Sequence, residues 1–291
     1  MGKISRRTFI KQSTVALSAL SAGALASTNE TEYLGPVKLG STKIYTTRVA
    51  MGTGSNGWQR TSQQVKLGQE KFLELAQHAY DKGIRLFETA DIYGSHQLIG
   101  EALKYIPRDK IAIETKIWHR PVDWIDYKNA KQTVDRFRKE IGTDYLDMVL
   151  LHCQTDADWD KKYTQEMDDL NDLKAKGVIG AVGVSCHHLD ALNTAAESDW
   201  VQIIQARINA FGPSMDAEPE KVMPILKKAH DNGKGIIGMK IFGCGRCVEE
   251  HQRQKSLEYV WNSGNVDAMT IGFGEPGHID DALDRMKDIL A

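Results

Sequence analysis

Short apolar runs recur along the chain at 49–52, 84–88, 111–116, 146–152, 179–185, 201–205, 235–241 and 268–273, each bounded by polar or glycine-bearing stretches. Runs this short, without strict alternation of apolar and polar side chains, read as strands buried on both faces. Between them the spacing changes. Phe72, Leu73, Leu75, Ala76 and Ala79 fall on one helical stripe, and Lys82-Gly83 supplies a stop signal. Strand and helix in regular alternation predict a parallel α/β fold. Eight such units in 291 residues predict a single-domain (β/α)8 TIM barrel rather than an open, doubly wound sheet. Ahead of the first unit, 37–42 and 43–45 predict a short N-terminal hairpin that closes the barrel bottom.

The glycines in Met51-Gly52-Thr53-Gly54-Ser55-Asn56-Gly57 do not reopen the sheet alternative. A dinucleotide-binding turn runs from a strand directly into an amphipathic helix. Here Trp58 and a polar stretch over 59–66 follow instead.

The N-terminus is of another kind. Ser5-Arg6-Arg7-Thr8-Phe9-Ile10-Lys11 precedes an uncharged run of small and apolar residues that ends in Ala24-Leu25-Ala26, which fits a cleavage site. The arginine pair in this setting resembles a twin-arginine export signal, and the run is too short and too rich in Ser, Gly and Ala to span a bilayer. The chain thus divides into a signal peptide (1–26), a polar leader (27–34) and a barrel (35–291). The expected location is the periplasm or another exported compartment of a bacterium, with the twin-arginine export machinery as a partner. Cleavage removes Lys3, Arg6, Arg7 and Lys11 and no acidic residue, so a formal charge of −2 becomes −6. A mildly acidic surface argues against nucleic acid and anionic lipid as partners, and no later segment has transmembrane length.

Candidate chemistry gathers at strand ends, where barrel enzymes build their sites. Glu88 ends one apolar run and Tyr93 follows on its loop, while Lys116 and His152 end the next two. Tyr93 suits the role of proton donor to a carbonyl, although a phenol titrates near ~10. Lys116 is expected to favour the phenolate and lower that value, with Glu88 holding Lys116 charged. His152 is expected to orient the carbonyl or relay the proton, its tautomer fixed by a neighbour. Singly, each has a plainer reading as a packing tyrosine or a capping lysine or histidine. Their order and local sequences together favour a site.

Those local sequences resemble the aldo-keto reductase family. Phe87-Glu88-Thr89-Ala90-Asp91-Ile92-Tyr93-Gly94 and Gly100-Glu101-Ala102-Leu103 look like its second strand and following helix, and Thr115-Lys116 like its lysine strand. Asp144-Tyr145-Leu146-Asp147-Met148-Val149-Leu150-Leu151-His152 is similar to its histidine strand. The resemblance implies a nicotinamide-dependent oxidoreductase acting on an aldehyde, a ketone or a sugar-like carbonyl or alcohol. Its catalytic residues would be Tyr93, Lys116, His152 and Glu88, and its cofactor NADP(H), with NAD(H) as the alternative. Ser185, Cys186 and Gln205 match positions that hold the nicotinamide. Met239, Lys240, Phe242 and Gly243 match the loop beneath the nicotinamide and pyrophosphate, and His278 and Asp281 fall at the adenosine end.

The match has departures. Glu88 stands where the family has Asp, Cys186 where it commonly has Asn, and Glu275 precedes His278 where basic groups would meet a 2′-phosphate. These departures would suit a rival reading, a barrel that has lost catalysis and binds a small ligand or a protein. The four cysteines offer a third. Cys244-Gly245-Arg246-Cys247 follows the seventh strand, and Cys153 and Cys186 also lie past strand ends. A disulfide is open to them in an oxidising compartment. The context is not thioredoxin-like, no second Cys-x-x-Cys makes a zinc site, and no metal is assigned. The substrate pocket is expected from 53–68, 118–127 and the chain's end, with Trp58, Trp118 and Trp124 either forming an aromatic wall or packing on the barrel. The chain ends soon after its eighth helix, which predicts an open site.

Overall fold

The computed structural model describes residues 34–290, so the expected signal peptide and leader (except Leu34) lie outside the described residues. Eight parallel strands close on themselves: β3 (Val49–Gly52), β4 (Leu86–Glu88), β5 (Ala112–Ile117), β6 (Leu146–Gln154), β7 (Ile179–Cys186), β8 (Ile203–Arg207), β9 (Gly235–Met239) and β10 (Ala268–Gly272). β10 pairs back onto β3, and the barrel has no free edge. β1 (Val37–Lys38) and β2 (Tyr45–Thr46) form the antiparallel hairpin ahead of it.

The helices alternate with the strands as the spacing predicts. They are α1 (Gln63–Lys66), α2 (Gln69–Asp81), α3 (His96–Ala102), α4 (Ala130–Ile141), α5 (Trp159–Lys162), α6 (Thr164–Ala175), α7 (Leu189–Glu197), α8 (Pro219–Asp231), α9 (Glu250–Asn262) and α10 (Pro276–Leu290). The short α1 and α5 sit within connections. On α2 the expected stripe is real: Phe72, Leu75, Ala76 and Ala79 are buried, and Leu73 packs against the core. Among the described residues no helix is long and apolar enough to cross a membrane.

Successive strand residues face opposite sides, so residues two apart share a face. That rule organises the barrel interior by height. Leu39 and Ile44 of the hairpin join Ala50, Leu86, Ala112, Leu150, Ile203 and Ile237 in an apolar plug at the bottom. Two residues further along, the same inward face turns polar: Leu86 gives way to Glu88, Ala112 to Glu114 and then Lys116, Leu150 to His152, Ile203 to Gln205. The apolar floor supplies burial, and the polar layer above it supplies chemistry.

Two local departures from regular strand geometry matter for the mouth. β6 runs past its expected end to Gln154 through a bulge: Leu151 pairs with Val184, but Gln154 pairs with Cys186. The extra residue, Cys153, takes the left-handed φ of 64°, and its freed N–H donates to Ser185 Oγ at 2.7 Å. Bulges of this kind re-aim a side chain beside a site. The second departure is the loop after β9, where Lys240, Gly243 and Cys244 all have φ near 60° (61°, 58° and 59°).

Candidate active site

Tyr93 ends a 3-10 turn, Asp91–Tyr93, that follows β4. Gly94 closes the turn with φ 74°, and a Cβ there would lie 2.0 Å from the carbonyl oxygen of Arg60, so only glycine fits. Asp91 anchors the turn from behind, bound by Arg60 at 2.7 Å and Arg136 at 2.7 Å. Its carboxylate is thereby committed to structure. The loop 52–57 wraps the Tyr93 ring: a Cβ on Gly54 would lie 2.1 Å from it and one on Gly57 2.4 Å. These glycines are required by the close approach of backbone to phenol.

Behind the ring lies Lys116, with no solvent exposure and its ammonium 5.2 Å from the ring centroid. The ammonium contacts the Glu88 carboxylate directly and donates to the Thr89 carbonyl at 3.0 Å. The extra methylene of Glu88 therefore does not break the expected ion pair. A further carboxylate, Glu114 on β5, lies 3.1 Å from the same ammonium and is equally buried. It was not among the expected site residues. Its signal was present, a charged residue inside an apolar run two positions before Lys116. His152 packs edge-on to Tyr93 with ring centroids 5.7 Å apart, and to Trp118 at 5.6 Å.

The electrostatics depart from the expectation in two respects. Burial, and next the Glu88 charge, push the Tyr93 pKa above its ordinary value; Lys116 pulls it down but is outweighed, with Glu114 adding to the rise. The net direction is upward, so the phenol stays protonated at neutral pH. Burial works against the Lys116 charge, but Glu114 and Glu88 hold it firmly protonated. Burial, then the Lys116 and His187 charges, keep His152 neutral by pushing its pKa well down. No neighbour among the described residues fixes its tautomer, since Nδ1 has no hydrogen-bond partner.

Beside Tyr93 opens a cleft of about 500 Å³ lined by Gly52, Gly54, Ser55, Asn56, Glu88, Tyr93, Gln205, Met239, Lys240, Phe242, His278 and Asp281, among others. Six of the nine expected cofactor residues line it. Gln205 is 1% exposed, and neither its carboxamide nitrogen nor its oxygen has a partner among the described residues. A buried amide with both ends open is costly to the protein alone and suits a ligand amide. Asp281 is held by Arg253 at 2.9 Å and Arg285 at 2.8 Å. Arg253 itself lines the cleft and was not foreseen.

The other three are placed differently. Ser185 faces the barrel interior, fully buried, as acceptor for Cys153 N–H. Gly243 belongs to the left-handed loop and does not line the cleft. Cys186 does not reach the cleft either. As the next strand residue after Ser185 it points outward, and its thiol lies in the core between barrel and helices. Cys153, Cys186, Cys244 and Cys247 are all free thiols. The three tryptophans cluster, Trp58 meeting Trp118 at 5.2 Å and Trp124 at 5.0 Å, both edge-on, and none of the three lines the cleft.

The Aldo/keto reductase family model matches residues 48–284, nearly the whole described barrel. The chain is 26% identical to the NADH-specific methylglyoxal reductase of Escherichia coli over 68% of its own length and 64% of that enzyme's, so it spans less than two thirds of that relative. It is also 26% identical to methylglyoxal reductase DkgA of Yersinia pestis, over 68% of this chain and 70% of that one. The holo form of aldo-keto reductase AKR11C1 from Bacillus halodurans has the same fold, with a TM-score of 0.71, 17% identity and coverage of 86% and 90%. Fold, inward polar layer and sequence agree: the chain belongs to the aldo/keto reductase family of oxidoreductases.

Proposed function

We propose that this protein reduces a small aldehyde, ketone or sugar-like carbonyl with a nicotinamide dinucleotide, Tyr93 being the proton donor. The observation that carries the reading is the convergence of Tyr93, Glu88 and the open amide of Gln205 on one cleft, with Lys116 and His152 directly behind. A bound nicotinamide cofactor supplies the hydride. The chain supplies the remainder. Gln205 suits the carboxamide of the nicotinamide, and Lys240, Arg253 and His278 suit the phosphates and the adenosine end. Tyr93 gives its proton to the carbonyl oxygen: the phenol O–H bond breaks and an O–H bond forms on the product alcohol. The phenolate left behind faces the ammonium of Lys116. His152, neutral and beside the phenol, orients the carbonyl oxygen by a hydrogen bond.

NADPH is the expected form, with NADH as the alternative. The Escherichia coli relative is named for NADH, and Glu275 beside His278 suits free ribose hydroxyls. The substrate class is supported by the methylglyoxal reductases among the relatives. The test is titration of the mature protein with NADPH and NADH by tryptophan fluorescence, followed by turnover of methylglyoxal. Micromolar or tighter binding with turnover upholds the reading. No binding by nucleotide-free protein defeats it in favour of the lapsed barrel.

The twin-arginine pattern supports export of the folded protein, with cofactor bound beforehand and retained because free nucleotide is scarce outside the cytoplasm. Substituting Arg6 and Arg7 by Lys should leave the protein in the cytoplasm; unchanged export would refute that route. Exported protein purified without nucleotide would refute the retained cofactor.

A further inference from the structure

Three ionisable side chains share one dry position in the barrel. Glu88 and Glu114 stand opposite each other across β4 and β5, and Lys116 lies two residues beyond Glu114 on the same inward face. Lys116 and Glu114 have no exposure and Glu88 only 3%. The Lys116 ammonium contacts Glu88 and lies 3.1 Å from Glu114 Oε1, yet neither Glu114 oxygen has a hydrogen-bond partner among the described residues. One ammonium cannot neutralise two carboxylates. With all three ionised, the position holds a net negative charge in a low dielectric, a cost relieved when one carboxylate takes a proton. Glu88 has the closer ammonium contact and borders the open cleft, and Glu114 has neither.

We propose that Glu114 is a second, proton-holding carboxylate of this site, a positioning residue that leaves the charge of Lys116 to Glu88 and Tyr93 while it carries its proton. The proposal rests on Tyr93 acting as the proton donor of a carbonyl reductase. The groups facing Glu114 are Glu88 from β4, Lys116 from β5 and Tyr93 from the turn after β4, while its partner on β6, Met148, brings no charge. His152, higher on β6, is neutral. When Tyr93 gives up its proton, the phenolate depends on Lys116. An ionised Glu114 draws on the same ammonium and repels the phenolate. Burial, with Glu88 adding its charge, pushes Glu114 up to about 7, so its two forms exchange in the neutral range.

The test is the pH dependence of kcat for reduction of methylglyoxal, followed from about pH 5 to about pH 9. In the wild type kcat should fall about tenfold through neutrality as one buried charge appears, and Glu114→Gln should flatten the fall. Burial pushes Asp216, near Arg207 at the mouth, up to about 6, so Asp216→Asn is the control and should keep the fall. A role in packing alone would scale the rate equally at every pH. A Glu114→Gln profile of wild-type shape, or loss of the fall in Asp216→Asn, overturns the proposal.

A second readout needs no turnover. Infrared difference spectra across neutral pH should show the C=O stretch of a protonated carboxyl that is absent from Glu114→Gln. Its absence from the wild type overturns the proposal. If Glu114→Gln does not fold, Glu88→Gln should move that titration toward acid, and an unmoved titration is equally fatal. The band without any carbonyl reduction would mean that the reductase reading has failed, and the positioning role with it, while the shared proton stands.

Discussion

The two halves of the barrel mouth are built on opposite terms. On the β4–β6 side the charged groups and the phenol are held by their neighbours: Lys116 between two carboxylates, Asp91 between two arginines, the Tyr93 ring against two glycines. On the β8–β10 side the backbone turns through left-handed residues, a cleft of about 500 Å³ stays open, and the Gln205 amide has no partner among the described residues. Under the proposed reading, the first half holds its proton chemistry ready without a ligand. The second leaves its polar atoms for one. Pre-organisation belongs where a charge must appear on demand, and open groups belong where a large polar molecule has to dock.

Each half can be disabled alone. Tyr93→Phe should lower kcat by about a hundredfold to ten-thousandfold and leave the Kd for the cofactor within about a factor of two, as the ring still packs on Gly54 and Gly57. Lys116→Met should lower kcat comparably. It should also cost about 3–5 kcal/mol of stability in urea unfolding, because Glu88 and Glu114 then face each other without a cation. A cofactor Kd that moved as far as kcat would show the halves to be one unit.

Gly54 is the seam between them, since it lines the cleft and touches the phenol. A methyl group there would meet the Tyr93 ring at 2.1 Å, so Gly54→Ala must displace the ring or the loop. Displacing a proton donor by about an ångström costs on the order of a hundredfold in rate. Steady-state kinetics with cofactor titration would show kcat and Kd worsening together, unlike Tyr93→Phe.

Much of the first half was legible in the sequence because strands are local. The ends of short apolar runs named Glu88, Lys116 and His152, whereas Gln205 came from the family resemblance. The same period of two, applied consistently, places Glu114 beside Lys116 and turns Cys186 outward. Glu114 was missed because it sits inside a run rather than at its end, and Cys186 was misplaced because the family match outweighed the alternation. The glycines of 52–57 carried no readable purpose, since the ring they enclose arrives from a distant turn. The direction of the Tyr93 shift was misjudged for a similar reason. Lys116 is visible in the chain, whereas burial and a second carboxylate are properties of the folded barrel.

Glu114 also marks the first half in its stability. Folded, its carboxyl titrates up to about 7, and unfolded it returns to its ordinary value near ~4.3. Between those values the folded state binds the proton more tightly, so stability falls as pH rises through that window and levels off above it. The loss should be on the order of 3–4 kcal/mol. Chemical unfolding at a series of pH values should show this loss in the difference between the wild type and Glu114→Gln, because the buried, neutral His119 and His152 add a slope of opposite sign to both proteins. A difference that stayed flat through the same window would mean that Glu114 is ionised at all times.

The smallest effect falls on the open half and carries two opposite signs. Gln205 holds its amide buried and unpartnered, which costs the free protein roughly 1–3 kcal/mol. Gln205→Leu fills about the same volume without polar atoms, so it should stabilise the free protein by about 1 kcal/mol. The same change removes the partner offered to the cofactor amide and should weaken its Kd by about tenfold. Thermal unfolding and fluorescence titration of one variant thus test one claim twice. A group kept for binding gives stability and affinity changes of opposite sign. A group that merely fills the barrel would lose both, or change neither.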